Sequence, residues 1–111
     1  MAEPTLTQVF GPGATLTATS LNILLADLSA NGLDITGSPT AEGLLVALLM
    51  EIRKILTEVN YGTNLDQSIY IEDGFSTENI RGVANSAFKV EPVIVNLTRP
   101  KTSTIFDPNA Y

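Results

Sequence analysis

The longest helical pattern in the chain lies between Ser38 and Gly62, where apolar residues recur every three to four positions. Ser38 is a suitable N-cap, and Pro39 suits the first helical turn because its missing N–H has no partner there. Gly62 suits the exit. The pattern predicts a helix over residues 39–59, about 30 Å long. Its apolar stripe would consist of Ala41, Leu44, Leu45, Leu48, Leu49, Ile52, Ile55, Leu56 and Val59.

The first half of this helix is apolar on a second side as well. Val46, Ala47 and Met50 lie on the side that carries charged residues in the following turns. A helix that is apolar all round is buried all round. Either the chain's own sheet and N-terminal segment cover this side, or Val46 and Met50 contact a neighbouring subunit. The apolar run ends at Glu51, well short of the ~20 residues that span a bilayer, so no membrane insertion is expected.

Strand patterns flank the predicted helix. Residues 15–25 predict a strand, with a short helix over residues 21–28 as the alternative. Leu33 and Ile35 predict a further short pairing. After the helix, residues 68–75 alternate apolar and polar positions and predict a strand.

The clearest strand pattern covers residues 87–97. Pro92 cannot donate to a ladder, so this strand should lie at an edge or bulge at Glu91–Pro92. Residues 76–80 predict a single helical turn, and Gly82 and Asn85 favour a mobile loop.

Together these patterns predict an α+β fold, in which one long central helix packs on a small antiparallel sheet. Residues 1–20 would form an extended N-terminal arm leading into a strand. Residues 21–97 would form the core, and residues 98–111 an extended C-terminal arm.

Bulky apolar side chains lie in both arms. They are Val9 and Phe10 in the N-terminal arm and Ile105, Phe106 and Tyr111 in the C-terminal arm. Such anchors on an extended segment suit docking into a groove of another molecule. The alternative is that the tail folds back over its own domain.

Composition supports contacts with other molecules. Hydrophobic residues make up 44% of the chain and charged residues only 16%, which is low for a monomer whose whole surface faces water. The net charge of −6 repels phosphate backbones, so direct nucleic-acid binding is not expected.

Residues suited to catalysis are scarce. The chain has no histidine and no cysteine, which removes the usual general base, the commonest metal ligand and the thiolate nucleophile. Glu72 and Asp73 are adjacent, but neighbours in a strand point to opposite faces. Glu51 and Glu58 would share a solvated helix face with Lys54, which can pair with both. We therefore expect no enzyme activity, no catalytic residue, no cofactor and no metal site.

Three segments carry a resemblance to a known group of proteins. They are MAEPTLTQVFG at the start, TAEGLLVALLMEI in the predicted helix and FDPNAY at the end. They resemble small structural proteins of tailed bacteriophages, which include capsid cement or decoration proteins and small head–tail or tail components. The resemblance implies a host lattice, stabilisation by contacts between subunits and no enzymatic role.

The expected function is that of a virion structural protein, a capsid cement protein on the outer capsid surface. Its partners would be further copies of itself and the major coat protein. Its predicted interface residues are Val9, Phe10, Val46, Met50, Ile105, Phe106 and Tyr111. Two alternatives remain open: a head–tail or tail component, and a ligand- or glycan-binding module on which Tyr61 or Tyr70 would stack against a sugar.

Overall fold

A computed structural model describes residues 2–100 and 107–111 of the chain. These residues form the predicted α+β class of structure, with small antiparallel ladders. The helices are α1 (Leu6–Phe10), α2 (Leu25–Ser29), α3 (Ala41–Ile52) and α4 (Glu58–Thr63), followed near the C-terminus by a 3-10 turn, Pro108–Ala110. The strands are β1 (Thr15–Leu16), β2 (Leu21–Asn22), β3 (Ile69–Asp73), β4 (Thr77–Arg81), β5 (Ser86–Val90) and β6 (Val93–Leu97).

The prediction of one long central helix is wrong, because the chain divides residues 39–59 between α3 and α4. Thr40, rather than Ser38, is the N-cap of α3, and its hydroxyl oxygen accepts a hydrogen bond from the Gly43 N–H at 3.0 Å. Both candidate caps carry a hydroxyl group, so the expected cap chemistry is present at a different position. Among the described helices, only α3 exceeds six residues.

The helical pattern is broken between α3 and α4 because two carbonyl groups there accept hydrogen bonds from other groups. The Ile55 carbonyl accepts from Asn60 Nδ2 at 2.9 Å, and the Leu56 carbonyl accepts from the Ile71 N–H of β3 at 2.9 Å. A continuous helix would engage these carbonyls in its own i+4 hydrogen bonds. Thr57 then caps α4, since its hydroxyl oxygen accepts from the Asn60 N–H at 3.1 Å. Tertiary pairing outweighs the local helical pattern in this segment.

The face that α3 buries also differs from the predicted stripe. Its buried residues are Ala47 and Glu51, and Glu51 is a predicted solvent-face residue. Leu45, a predicted stripe residue, is 56% exposed, and Val59 is exposed on α4. The physical reason is that Asn31 Nδ2 donates to Glu51 Oε2 at 2.9 Å. A buried carboxylate is tolerated when it has hydrogen-bond partners.

The N-terminal segment is not extended throughout, contrary to the arm predicted over residues 1–20. Thr5 and Gln8 form a capping box that starts α1, because each side chain accepts a hydrogen bond from the backbone N–H of the other. α1 packs against α3. Asn64 Nδ2 also donates to the Ala2 carbonyl at 2.8 Å, which joins the start of the chain to the end of α4.

The strand predicted over residues 15–25 is much shorter than expected. It is reduced to the β1–β2 ladder, and α2 lies where the alternative helix over residues 21–28 was placed. The Gly13 N–H donates to Asp27 Oδ2 of α2 at 2.7 Å. A Cβ on Gly13 would overlap the Leu24 side chain, so glycine allows the loop to approach α2.

Two ladders follow one another in the C-terminal half, where one sheet was expected. β3 confirms the strand predicted over residues 68–75 and pairs with β6. The strand predicted over residues 87–97 is divided into β5 and β6 at Glu91–Pro92. Between the two ladders, residues 74–76 oppose residues 91–92. The extra residue therefore lies in the segment opposite Glu91–Pro92, whereas the predicted bulge was placed in the strand that carries Pro92.

β4 and β5 pair with each other, which corrects the predicted helical turn over residues 76–80. The predicted mobile loop is a tight turn, because the Asn85 N–H donates to the Gly82 carbonyl at 3.1 Å. Gly82 and Asn85 have φ values of 81° and 52°, which these residue types tolerate best. Leu33 and Ile35, expected to pair, lie outside the strands.

The core enclosed by these elements is small. Among the described residues, the buried apolar side chains are Ala14, Leu28, Ala47, Leu56 and Ile71. Gln67 is buried beside them, and its Nε2 donates to the Thr57 carbonyl at 3.1 Å and to the Ile69 carbonyl at 2.8 Å. This amide joins the start of α4 to β3.

Candidate interaction surface

The β4–β5 hairpin, Thr77–Val90, projects from the domain and is called the ribbon below. Every residue of its two strands is exposed. Among the described elements, β4 and β5 make substantial contacts only with each other. The Cα radius of gyration is 16.9 Å, against about 13 Å for a compact domain of this length. The ribbon is therefore a surface element rather than part of the core.

Apolar side chains cover much of the ribbon and its base. Val83 at the tip and Phe75 at the base are almost fully exposed, and Ile80 is 69% exposed. Phe88 lies beneath Arg81, whose guanidinium carbon is 5.2 Å from the ring centroid, a cation–π contact. Ile80 faces Ala87 across the ladder and Phe88 faces Asn79, so apolar groups are exposed on both faces of the ribbon. Exposed apolar surface of this kind marks a candidate contact surface.

A groove lies where α3 meets the junction of the two C-terminal ladders, and is called the neck groove below. Val46 and Met50, both predicted interface residues, line it and are 56% and 46% exposed. They also line a second groove on the side of Gly32 and Leu33. The described part of the chain therefore leaves Val46 and Met50 open, although Ala47 on the same side of α3 is buried.

Charged groups lie in the neck groove. Arg53 Nη2 and Asp73 Oδ1 form an ion pair at 2.8 Å, and Glu91 also lines the groove. Glu91 pairs with Lys89 of the ribbon at 2.9 Å. That contact raises the pKa of Lys89 above its ordinary value, through the hydrogen bond from its ammonium group and the negative charge of Glu91. The groove thus combines an apolar wall with two ion-paired carboxylates.

The predicted arm anchors occupy a different region. Val9, Phe10 and Tyr111 line one cavity together with Leu56 and Ile69 of the same chain. All three anchors are half-buried. This arrangement matches the alternative in which the end of the tail folds over its own domain. Two further predicted anchors, Ile105 and Phe106, lie outside the described residues.

The carboxylates that were weighed for chemistry have separate partners. Glu72 Oε1 accepts from Asn96 Nδ2 at 3.1 Å, whereas Asp73 pairs with Arg53 on the opposite face, so the two do not converge. Lys54 pairs with Glu51 at 2.9 Å. The expected second pair with Glu58 does not form within the described structure, because Glu58 begins α4.

Buried charge and metal-ligand clusters give no further site in the described ranges. The pKa of Glu51 is lowered by the hydrogen bonds from Lys54 and Asn31, against the opposing effect of burial. This network is consistent with a structural role. No group of three or more metal-ligating side chains occurs in residues 2–100 and 107–111.

The two tyrosines considered for sugar stacking stack on each other. The ring centroids of Tyr61 and Tyr70 are 4.7 Å apart, with an angle of 29° between the ring planes. Each ring therefore has one face occupied by the other.

Of the described helices, none has both the length and the apolar character needed to cross a membrane.

The ribbon is the part of the surface that the sequence patterns missed. Two signals point to it. Ser86–Val90 alternates around Phe88, and the turn has glycine and asparagine, the two residue types that favour positive φ, at its ends.

Comparison of the chain with protein-family models, curated proteins and solved structures finds no match.

Proposed function

We propose that this chain is a virion structural protein, a capsid cement protein that binds the outer coat surface and joins neighbouring copies of itself. The observation that carries the proposal is the ribbon. It exposes apolar side chains that bury almost nothing within the described chain. The resemblance to phage structural proteins supplies the class of assembly.

Surface area supports an assembly subunit. The chain exposes 8102 Å², whereas a compact monomer of 11.8 kDa exposes about 5,900 Å². The excess exceeds the ~800 Å² that each partner buries in a standard interface. Hydrophobic area removed from water contributes about 25 cal/mol per Å², so contacts with neighbours would supply stabilisation that the small core lacks.

A head–tail or tail component is the second candidate, and one feature favours it. The ribbon exposes Val83 at its tip, and the neck groove is lined by Val46 and Met50. Two different apolar surfaces on one chain suit head-to-tail contacts, which form a ring when the rotation between neighbours closes. Copy number separates a connector from the rest: the copies of a single ring indicate a connector, whereas a much larger number indicates a capsid or tail-tube protein. A glycan-binding module is less well supported, because the rings of Tyr61 and Tyr70 stack on each other and each covers one face of the other.

The ribbon tip is the place to test the proposal. Val83→Glu puts a charge on the most exposed apolar residue of the tip and touches no buried group. We expect about tenfold weaker attachment to coat particles lacking this protein, since one ionised group at a desolvated contact costs over 1.4 kcal/mol. Far-UV circular dichroism and the unfolding midpoint should not change.

Thr19→Glu is the matched control. Thr19 lies in the turn between β1 and β2, is exposed, and would gain the same charge. It should attach as the wild type does. Normal attachment by Val83→Glu would remove the ribbon from the interface and with it the main support for the cement assignment.

A further inference from the structure

The outer edge of β6 is an open strand edge. β6 pairs with β3 on one side, and no other described element pairs with it. Its apolar residues Val93, Ile94, Val95 and Leu97 are between 36% and 46% exposed. A two-stranded ladder is stabilised by further strands or by packing against a helix. β3 packs against α4, and the outer edge of β6 is the side on which a further strand could add.

Hydrogen-bond alternation shows which groups face outward. The Gly74 N–H donates to the Pro92 carbonyl and the Thr98 N–H to the Ser68 carbonyl, both across the β3–β6 ladder. In an antiparallel pair, every second residue exchanges these bonds. Between those bonds, Ile94 and Asn96 therefore face β3. The intervening residues of β6 direct their N–H and carbonyl groups to the open edge: Val93, Val95 and Leu97.

A hydrogen bond of β3 confirms which residues of the ladder direct their backbone groups outward. Ile71 pairs with Val95, and its N–H points away from β6 and donates to the Leu56 carbonyl at 2.9 Å. The outer edge of β3 thus has a partner within the chain. At the outer edge of β6, no described strand pairs with Val93, Val95 or Leu97.

Charge distinguishes β6 from the other long strands. Exposed edges in native proteins usually carry charged residues that prevent pairing with other chains. β3 carries Glu72 and Asp73, β4 carries Glu78 and Arg81, and β5 carries Lys89. β6 carries no charge along its whole length, and prolines at positions 92 and 100 limit it at both ends.

We propose that β6 pairs with β6 of a second copy of this chain, antiparallel and centred on Val95, to give a four-stranded sheet. The geometry is self-complementary. In that register Val95 faces Val95 of the second copy, and Val93 faces Leu97, so that outward-directed groups meet only outward-directed groups. Each of these positions is then a hydrogen-bonded pair, and the interface has the two-fold symmetry of most dimers.

A second copy fits this edge better than a charged partner strand. Two chains that each carry a net charge of −6 repel one another, so they meet most easily along an uncharged strand. Val93, Val95 and Leu97 share one face with Ile71, and pairing would continue that apolar face across both copies. This inference rests on the proposed self-association and does not depend on the virion assignment.

A single introduced cysteine tests the register, because the chain has no cysteine of its own. Residues in a hydrogen-bonded antiparallel pair have Cα atoms about 5.5 Å apart, within the range for a disulfide. Val95→Cys should therefore give a covalent dimer under mild oxidation. Ile94→Cys is the control, with almost the same exposure. Its two copies would lie about 8 Å apart, beyond disulfide reach.

We expect at least about tenfold more covalent dimer from Val95→Cys than from Ile94→Cys. Equal cross-linking of the two variants, or none in a protein that sediments as an oligomer, overturns the β6 pairing and leaves the proposed function standing. A wild-type protein that stays monomeric at every concentration overturns both.

Amide hydrogen exchange of the unmodified protein tests the same pairing without a substitution. The N–H groups of Val93, Val95 and Leu97 should gain protection as concentration rises, while that of Ile94 is protected throughout by β3. Protection of the three outward groups only on coat particles would assign the edge to the coat protein and overturn pairing with a second copy.

Discussion

Asn31 Nδ2 donates a hydrogen bond to Glu51 Oε2 at 2.9 Å, which joins the segment after α2 to a carboxylate on the buried face of α3. The same Nδ2 contacts the Ala47 carbonyl at 3.2 Å. Lys54 Nζ pairs with the same carboxylate oxygen at 2.9 Å. A charged group thus occupies the packed side of the longest described helix while leucine and methionine side chains face outward.

Glu51→Gln should lower the free energy of unfolding at neutral pH. The substitution removes the ion pair with Lys54 and weakens the bond from Asn31, and a hydrogen bond to a charged group contributes about 1.5–3 kcal/mol. We expect a loss of about 2 kcal/mol, measured by urea unfolding. Glu58→Gln, at an exposed position on α4, is the control and should change little. Equal stability of the two variants would contradict this role for Glu51.

The pH dependence of stability should follow from the same carboxylate. The pKa of Glu51 is lowered in the folded chain by the hydrogen bonds from Lys54 and Asn31. A group with a lowered folded pKa stabilises the protein above its unfolded pKa, about 4.3 for glutamate. That contribution is lost as the pH falls through the folded pKa. Urea unfolding from pH 6 downward should therefore show a steeper loss for the wild type than for Glu51→Gln; parallel curves would exclude the linkage.

Gln67→Ala should destabilise the domain. The Gln67 amide is buried and donates to two carbonyls, those of Thr57 and Ile69. Its removal leaves the Ile69 carbonyl without that donor, whereas the Thr57 carbonyl keeps the bond from the Tyr61 N–H. An unsatisfied buried polar group costs about 1–3 kcal/mol. Thermal unfolding followed by circular dichroism measures the effect. Asn79→Ala removes an amide side chain from the exposed ribbon and should leave the midpoint almost unchanged.

Met50→Glu should weaken self-association more than Glu58→Lys does. Met50 lines the neck groove and is 46% exposed, so a charge there would be desolvated when a neighbouring subunit covers α3. Glu58 lies on α4, away from that groove. Sedimentation velocity over a concentration series compares the two variants, and identical behaviour would remove α3 from the interface.

Tyr111→Ala separates the two roles considered for the C-terminal tail. Tyr111 lines a cavity with Leu56 and Ile69 of its own domain, so truncation should reduce stability by about 1 kcal/mol, within the usual range for single substitutions. Deletion of residues 99–111 should also leave a folded domain. We expect that this shortened protein no longer binds to the coat lattice. If Tyr111→Ala unfolds as the wild type does but fails to attach to particles, Tyr111 is a bridging anchor instead.

The local patterns predicted those elements whose cause is local. The strand over residues 68–75 and the break at Pro92 follow from side-chain alternation and a missing N–H. Val46 and Met50, predicted interface residues, lie exposed as an open contact surface requires. Whether they and the arm anchors contact another subunit stays a prediction.

Non-local pairing explains the differences. The pattern over residues 39–59 favours one helix, but Ile71 and Asn60 take the carbonyls of Leu56 and Ile55. The ribbon forms because β3 and β6 bring the two ends of its hairpin together. Glu51 would face water in an isolated helix because it is charged, but in the folded chain it is buried and accepts a hydrogen bond from Asn31.

The sequence by itself determined the α+β class, the excess of apolar over charged residues and the interruption of the last strand pattern at Pro92, because these depend on each residue and its near neighbours. Only the tertiary structure decided where the long helical pattern breaks, that Glu51 is buried, and that one strand edge and one ribbon are left open. Those outcomes depend on which carbonyl, amide and carboxylate groups meet partners distant in the chain.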